Sequence, residues 1–253
     1  MRPPKQSQTP ETRRSQALSY LSGRSLLSEF PKAITDPGQG GKFDKEGNVL
    51  QHPGNTFLCH IDQTSEFYQA LCAFQDDLKA AQLANNYIFL PKPSFHMTVF
   101  CGVSGSPLGD DGWPTGMPNS ATLDQVTQQF SKRLSNWSGP TEFIVRADGM
   151  SMPGTVRMVP ATRRDAKMLA NLRYSLQEAT GLYRVDIDSY EFHISLGYLK
   201  RWYSEKASEE AMKTADRLFC KHLGNLSEQK LDPVEFCTFE TMHHFERIRL
   251  LGG

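Results

Sequence analysis

A short pattern occurs twice in the sequence, once in each half of the chain. Residues 94–102 read SFHMTVFCG and residues 190–198 read YEFHISLGY. Each copy gives Phe, His, an apolar residue, a hydroxyl residue and another apolar residue in succession, and each leads to a Gly. Among the seven histidines, only His96 and His193 have Ser or Thr two residues later. One such match carries little weight, but two in similar apolar runs predict a fold with two related halves.

The elements predicted around the two copies come in a similar order. Each half has apolar strands, a helix with an apolar stripe and a strand that carries the pattern. One predicted helix follows Ser65, which is its N-cap. Three more helices are predicted over about residues 123–134, 164–180 and 208–223. The predicted strands cover residues 56–61, 87–90, 95–100, 142–150, 155–160, 192–199, 234–240 and 245–251. With the two C-terminal strands assigned to the second half, this order predicts an α+β fold of two pseudosymmetric lobes of antiparallel sheet, with outer helices around a central active-site groove.

The composition of the N-terminus predicts a tail in front of this domain. Residues 1–40 are rich in Ser, Pro, Gln and Arg and end among turn-forming residues. We therefore expect a flexible basic tail, with residues 18–30 as a candidate for a short docked helix. Residues 41–253 then form a single two-lobed domain, whose seam is expected near residues 102–122 because that stretch is rich in Gly, Pro and Asp and has no periodicity.

The overall composition narrows the range of partners. Lys and Arg number 28 and are balanced by 28 Asp and Glu, so no overall field attracts duplex DNA, and a phosphate substrate is expected to be small or terminal. No apolar run is long enough for a membrane span or a signal-peptide core, so we expect no membrane partner. The five cysteines include no C-x-x-C pair and predict reduced thiols in a cytoplasmic protein, with a mitochondrial presequence as the minor alternative. We expect a monomer.

The period of a β-strand divides the residues of each copy between two faces. His96 and Thr98 share one face, and the apolar residues around them point to the other, because successive side chains alternate. The same alternation puts His193 and Ser195 on one face. If an approximate twofold axis relates the lobes, two imidazoles and two hydroxyls converge in one groove.

Such a set of side chains suits the cleavage of a phosphodiester. A neutral histidine can take a proton from an attacking water or hydroxyl, and an imidazolium can protonate the departing ribose oxygen near neutral pH. The hydroxyls can hydrogen-bond to non-bridging phosphoryl oxygens and stabilise charge in the transition state. This chemistry needs no metal and no other cofactor. A single copy is better explained as a structural His and Ser or Thr pair on a half-buried strand, whereas two matched copies favour chemistry.

With these residues the chain resembles the 2H (two-histidine) phosphoesterases, the superfamily of the RNA ligase and cyclic nucleotide phosphodiesterase type, which has paired H-x-[ST]-x motifs in two pseudosymmetric lobes. The stretches that carry a narrower resemblance, to a bacterial and fungal branch of that superfamily, are GGKFDKEGNVLQHPGNTFLCHID, FLPKPSFHMTVFCGV and YEFHISLGYL. The resemblance covers residues 41–199 well and the C-terminal part loosely. The second motif differs in having Ser195 in place of Thr.

The resemblance implies an enzyme, a cyclic phosphodiesterase that acts without a metal ion. Its implied substrates are 2′,3′-cyclic nucleotide phosphates or related cyclic or 2′,5′-linked phosphodiesters, including those at RNA ends. RNA ligation is then a second activity, the reverse of cleavage. The resemblance also implies that His96 and His193 are the acid and the base, in either assignment. Thr98 and Ser195 are implied to be the hydroxyls that bind the phosphate.

Two basic residues and four aromatic residues are weaker candidates for substrate binding. Lys92, four residues before His96, could reach a phosphate, although a lysine at a strand edge is more often solvated. Arg157, between two apolar residues, could line the groove or form an ordinary ion pair. A base could stack on an aromatic side chain. The aromatic candidates are Tyr87, Tyr183, Tyr190 and Trp202.

Two other classes of function stay open. A non-catalytic nucleotide- or RNA-binding module could use the same groove, although binding alone does not require two proton-transfer groups. A metal-dependent hydrolase is disfavoured because the histidines show no ligand spacing. His60 and Cys59 are adjacent on a predicted strand and so point to opposite faces, and we therefore expect no metal site there.

Overall fold

The computed structural model describes residues 9–109, 112–226 and 228–252 of the 253-residue chain. These residues contain five α-helices: α1 Pro10–Leu21, α2 Glu66–Ala80, α3 Leu123–Arg133, α4 Arg163–Thr180 and α5 Glu205–His222. Each follows a residue whose side-chain oxygen accepts a backbone N–H of the first turn, which would otherwise lack a partner within the helix. These N-caps are Thr9, Ser65, Thr122, Thr162 and Ser204. In the described part of the chain, no helix is both long and apolar enough to cross a membrane.

Ten strands form two antiparallel sheets in the described residues. The strands are β1 Gly54–His60, β2 Tyr87–Phe89, β3 His96–Ser104, β4 Phe143–Met152, β5 Thr155–Pro160, β6 His193–Ser195, β7 Gly197–Leu199, β8 Gln229–Leu231, β9 Glu235–Thr241 and β10 His244–Leu250. The large sheet has the order β10-β9-β1-β3-β6-β5-β4-β8, and β2 pairs with β7. The neighbours at its centre, β3 and β6, each carry one copy of the repeated pattern, and one lobe lies on either side of them. The predicted α+β fold with two lobes is thus confirmed.

The C-terminal strands belong to the first lobe, so the expectation that they complete the second is wrong. β9 pairs with β1, and β10 pairs with β9 at the edge of the sheet. The rings of Phe57 and Phe236 stack with centroids 4.8 Å apart, and Phe130 of α3 packs against both. The outer strand of the second lobe is β8, which pairs with β4. Alternation along a sequence predicts that a strand exists but does not identify its partner.

The Gly that follows each copy of the pattern allows another part of the backbone to approach closely. A Cβ atom at Gly102 would lie 2.1 Å from Oδ1 of Asn55, which accepts the backbone N–H of Val103. A Cβ atom at Gly197 would lie 2.7 Å from the carbonyl oxygen of Ile88, in the paired strands β2 and β7. Close packing near the pattern strands therefore explains why both copies lead to Gly.

The N-terminal segment contains a docked helix, which differs from the expectation of a flexible tail. Helix α1 begins earlier than the candidate helix over residues 18–30. Leu21 is fully buried, and the backbone N–H of Tyr203 donates to its carbonyl oxygen at 2.9 Å. The apolar cluster around this end of α1 consists of Ala17, Leu21, Tyr87, Leu199 and Met212. Burial of these side chains holds α1 on the body of the protein.

Parts of the predicted domain division lie outside the described residues. These parts are residues 1–8 of the predicted tail, residues 110 and 111 of the predicted seam near 102–122, and residues 227 and 253 of the predicted domain 41–253. The division at residue 41 and the seam therefore stay predictions.

Candidate active site

The central strands β3 and β6 pair through the apolar residues inside the two patterns. Met97 pairs with Ile194 in an antiparallel register, and both side chains are fully buried. The residues that directly precede and follow Met97 and Ile194 point their side chains to the other face of the sheet. The histidine and the hydroxyl residue of one copy therefore lie beside those of the other.

Each histidine lies opposite the hydroxyl residue of the other copy. The antiparallel register sets His96 opposite Ser195 and Thr98 opposite His193. All four side chains line one cavity of about 440 Å³, here called the histidine cavity. The four residues that the paired motifs single out are thus brought together.

The same backbone contact orients both histidines. Nδ1 of His96 lies 2.7 Å from the carbonyl oxygen of Ser94, and Nδ1 of His193 lies 2.9 Å from that of Glu191. A carbonyl oxygen can only accept a hydrogen bond, so Nδ1 carries the proton in each neutral ring. The two rings therefore have the same tautomer, with Nε2 as the nitrogen available for proton transfer.

The surroundings of His96 hold its ring in the neutral form. The ring contacts Phe245, with centroids 4.3 Å apart, and lies 6.3 Å from the ring of His60. His96 keeps some surface exposed to the cavity, while protein atoms surround the rest of the ring closely. This burial lowers the pKa of His96 to about 4. Positive charge on His60, His193 and Lys42 acts in the same direction as burial, and the hydrogen bond to the Ser94 carbonyl oxygen opposes it. With its pKa at about 4, His96 is neutral at neutral pH.

Lys42 and Tyr198 also line the histidine cavity, and sequence reasoning missed both as site residues. Nζ of Lys42 lies 3.2 Å from the hydroxyl oxygen of Tyr198 and 4.9 Å from the centroid of its ring. The two residues are 156 positions apart. Lys42 stands in a run of turn-forming residues, where no local pattern indicates a site. It brings a positive charge to the wall of the cavity.

Of the four aromatic candidates, Tyr190 lines the histidine cavity. Its ring centroid lies 6.0 Å from that of His193, and Cζ of Arg173 lies 4.4 Å from the centroid on one side of the ring. Burial raises the pKa of Tyr190 well above its ordinary value, so the phenol stays protonated. The described residues that line this cavity do not include the other three candidates, Tyr87, Tyr183 and Trp202.

Lys92, which the sequence offers as a phosphate ligand, is not among the described residues that line the histidine cavity. It begins the short 3₁₀ turn Lys92–Ser94, and its Nζ lies 2.6 Å from Oδ2 of Asp76 on α2. The sequence suggested a strand edge here, whereas the turn carries Lys92 toward the helix. Its charge is therefore engaged in an ion pair on the surface of α2.

Arg157 lies beside His193 but lines a neighbouring cavity. It pairs with His193 across strands β5 and β6. Its Nη2 lies 2.6 Å from Oδ2 of Asp148 and 2.8 Å from the carbonyl oxygen of the same residue. The neighbouring cavity has a volume of about 730 Å³ and is here called the methionine cavity, after Met150, Met152 and Met212 in its lining. Arg157 is thus close to the paired motifs without lining the histidine cavity itself.

Three potential metal ligands lie close together on the side of His60. The three residues are His60, Glu235 and Cys237, and one ligand atom of each lies within 4.8 Å of those of the other two. Nδ1 of His60 lies 3.0 Å from Oε2 of Glu235, and Nη1 of Arg247 lies 3.8 Å from the same oxygen. A metal ion would therefore have to displace an existing ion pair.

The pKa values of Glu235 and Cys237 are shifted in opposite directions. Burial by itself would raise the pKa of Glu235, but the hydrogen bond from His60 and the charges of His60 and Arg247 outweigh burial and lower it. Burial raises the pKa of the Cys237 thiol to about 12, so the thiol stays protonated. Because a cysteine binds a metal as the thiolate, this thiol would have to lose its proton first.

The fold and the site define a two-lobed protein with a histidine and a hydroxyl residue on each central strand. Part of the sequence matches a known family model, and the overall fold is similar to that of a solved structure. Residues 42–156 match the family model described as "2H-phosphodiest: Domain of unknown function (DUF1868)". The crystal structure of the conserved protein of unknown function ATU0111 from Agrobacterium tumefaciens str. C58 is similar at a TM-score of 0.82 and 28% sequence identity, and the similarity covers 92% of this chain and 98% of that one. A comparison with curated proteins finds no match.

A crystal structure of a phosphoesterase is similar only at a TM-score of 0.47 and 8% identity, over 79% of this chain and 99% of that one, which is too loose to bear on fold or function. Residues 42–156 match the 2H phosphodiesterase family model, and this match confirms the resemblance to the 2H phosphoesterase superfamily seen in the sequence. The first motif lies within the matched residues and the second lies beyond them. The family description supports a phosphodiesterase-type function.

Proposed function

We propose that the protein is a metal-independent phosphodiesterase that hydrolyses a 2′,3′-cyclic nucleotide phosphate or a phosphodiester at an RNA end. The observation that carries the proposal is the register that sets His96 opposite Ser195 and Thr98 opposite His193. The size of the histidine cavity suits a small or terminal substrate. The balanced net charge also favours such a substrate over a long nucleic acid.

His96 is the general base in this reaction. Its ring is neutral at neutral pH because burial lowers its pKa to about 4. Nε2 can therefore accept a proton while Nδ1 stays hydrogen-bonded to the carbonyl oxygen of Ser94. A ring with so low a pKa does not carry the proton that a general acid must give. The general acid is therefore His193.

In the hydrolysis, one histidine accepts a proton from water and the other donates a proton to the leaving oxygen. A water oxygen attacks phosphorus while His96 removes one of its protons. The bond from phosphorus to the leaving ribose oxygen breaks, its electron pair stays on that oxygen, and protonated His193 supplies the proton that completes the alcohol. Exchange with solvent returns both histidines to their starting states. Ligation, the reverse of this cleavage, would use the same groups.

Three further side chains hold the phosphate. Thr98 and Ser195 donate hydrogen bonds to the non-bridging oxygens, whose charge grows in the transition state. Lys42 supplies positive charge to the same cavity and partly balances the substrate. Acid, base and charge stabilisation are thus all supplied by side chains, and none of these roles requires a metal ion.

A panel of 2′,3′-cyclic nucleotides and short RNAs with 2′,3′-cyclic ends tests the proposal, with products separated by chromatography. We expect His96→Ala and His193→Ala each to lower turnover by about 10²- to 10⁴-fold. His244→Ala is the matched control because His244 is exposed on β10 and lies outside the cavity. Its activity should equal that of the wild type, and EDTA should leave turnover unchanged.

Several results would overturn the proposal. Undiminished turnover in either cavity variant would exclude the paired mechanism. Loss of activity in EDTA with recovery on adding a metal ion would favour a metal-dependent hydrolase. Tight binding of cyclic nucleotides or RNA ends without any turnover would favour a non-catalytic binding module.

A further inference from the structure

The methionine cavity adjoins the histidine cavity at the residue assigned as the general acid. Tyr20 lines both cavities. Arg157, which pairs with His193 in the sheet, lines the methionine cavity. Glu191, whose carbonyl oxygen holds Nδ1 of His193, lines it as well. The methionine cavity therefore begins next to the histidine that gives a proton to the leaving oxygen.

Part of the lining of the methionine cavity is apolar. Met150 and Met152 of β4 and Met212 of α5 line it together with Ala17 of α1, and Met212 is almost completely buried. Methionine side chains are unbranched and polarisable, and their sulfur atoms make favourable contacts with aromatic rings. A flat aromatic group can therefore pack against these apolar side chains.

The rest of the lining is largely polar, and two of its arginines have carboxylate partners. Arg157 is paired with Asp148, and Nη1 of Arg14 lies 2.6 Å from Oδ2 of Asp216 on α5. Because these guanidinium groups already have carboxylate partners, the cavity is not a simple anion site. Arginine and acidic side chains at its edge can hydrogen-bond to the polar edge of a base and to ribose hydroxyls. The combination suits a nucleoside better than a free phosphate.

The wall that α1 contributes is part of the packed fold. The ring of Tyr20 meets that of Trp202 edge to face, with centroids 5.5 Å apart. Leu21, the last residue of α1, is fully buried, and Arg14 ties the helix to α5. Both ends of this wall are thus fixed before any ligand binds, which lowers the cost of ordering it on binding.

We propose that the methionine cavity binds the nucleoside on the leaving-group side of the scissile phosphate, so that the preferred substrate joins two nucleosides through one phosphodiester. This inference rests on the proposed function. In a 2′,3′-cyclic mononucleotide the leaving oxygen stays on the same ribose, so only one nucleoside is present for two cavities. In a dinucleoside monophosphate or an RNA end, the leaving oxygen carries a second nucleoside, and the methionine cavity lies where that oxygen departs, beside His193.

Two substitutions on one helix test the inference with little risk to folding. Gln16 and Ser15 are neighbours on α1, and both are exposed. Gln16 lines the methionine cavity, whereas Ser15 is not among the described residues that line it. We expect Gln16→Trp to lower kcat/KM by about tenfold for 2′,5′- and 3′,5′-linked dinucleoside monophosphates. For 2′,3′-cyclic mononucleotides kcat/KM should stay at the wild-type value, and Ser15→Trp should change neither. Ser151→Trp, placed on the β4 side of the same cavity, should repeat the effect.

The outcomes separate this inference from the proposed function. Three results would overturn the inference without affecting the proposed phosphodiesterase. In the first, Gln16→Trp lowers kcat/KM equally for both substrate types, and in the second it does not lower kcat/KM for the dinucleoside monophosphates. In the third, the wild-type protein cleaves cyclic mononucleotides but no dinucleoside monophosphate. Calorimetric binding of a dinucleoside monophosphate to the His96→Ala, His193→Ala double variant tests the cavity without turnover. If Gln16→Trp in this double variant weakens the affinity for the dinucleoside monophosphate by about tenfold, the inference is supported. If the affinity is unchanged, the inference is contradicted.

Discussion

His96 lies directly opposite Ser195 across the central pair of strands, so the histidine of one lobe is paired in space with the hydroxyl of the other. Thr98 and His193 form the corresponding pair. The candidate phosphate site is therefore shared between the two lobes, and neither motif would form it alone. This relationship explains why the chain contains the pattern twice.

Removing a hydroxyl should slow the chemical step while the fold survives. We expect Thr98→Val and Ser195→Ala each to lower kcat by about 10²- to 10³-fold, with a smaller effect on KM, because the lost hydrogen bond strengthens in the transition state. Thr98→Ser and Ser195→Thr keep a hydroxyl and serve as matched controls that should stay close to wild-type activity. If the hydroxyl-free variants turned over substrate as fast as these controls, the hydroxyls would not bind the phosphate.

The pH dependence of kcat/KM should be bell-shaped with an unusually low acid limb. His96 must be neutral to act as the base, and burial lowers its pKa to about 4, so activity should persist on the acid side until the pH approaches that value. The basic limb should come from loss of the proton on His193. Because the two rings are coupled, both limbs belong to the pair. An acid limb at the pH of an ordinary histidine would contradict the assignment of His96 as the base.

The low pKa of His96 should also make folding stability depend on pH. The ordinary pKa is 6.5, and in the folded protein it is lowered to about 4. Between these values the unfolded chain binds a proton that the folded protein does not, so stability falls as the pH falls through this window. The loss should reach about 2 kcal/mol at pH 5.

Urea unfolding at pH 7.5 and pH 5 measures this effect. His96→Gln cannot titrate and should lose less stability between the two pH values than the wild type does. His244→Gln removes an exposed histidine and is the matched control, which should behave as the wild type. An identical pH dependence in all three proteins would show that His96 is not held neutral by burial.

Two lysines distinguish the observed site from the one that sequence spacing suggests. Lys42→Met should raise KM for a cyclic nucleotide about tenfold and change kcat less, because it removes positive charge from the cavity wall. It should also move the acid limb of kcat/KM upward, since the charge of Lys42 lowers the pKa of His96. Lys42→Arg should retain much of the affinity.

Lys92→Met provides the comparison. Lys92 is paired with Asp76 on α2 and is not among the described residues that line the histidine cavity. Its replacement should leave KM unchanged and cost at most about 1 kcal/mol of stability, as is usual for an ion pair near the surface. The opposite order of effects for the two lysines would restore Lys92 as the phosphate ligand.

The features that the sequence predicted correctly depend on local periodicity. Alternation along a strand separated His96 and Thr98 from their apolar neighbours, and Ser65 marked the start of a helix. These features are set by neighbours in the chain, so they can be read without knowing the fold.

The features that the sequence missed depend on contacts between distant segments. Lys42 meets Tyr198 across 156 positions, and Phe245 covers His96 from a C-terminal strand that the sequence assigned to the other lobe. Neither contact leaves a local pattern, because partner choice in a sheet is decided by packing. The low pKa of His96 follows from this packing, so it could not be predicted from the sequence either.

Leaving-group dependence tests the paired acid and base most directly. A nucleoside 4-nitrophenyl phosphate releases 4-nitrophenolate, which needs no proton, whereas the corresponding methyl ester releases an alkoxide that does. If His193 is the acid, His193→Ala should be strongly impaired on the methyl ester and much less on the nitrophenyl ester, while His96→Ala should be impaired on both. An equal defect of His193→Ala on the two esters, or rescue of His96→Ala by the nitrophenyl group, would contradict the proposed roles.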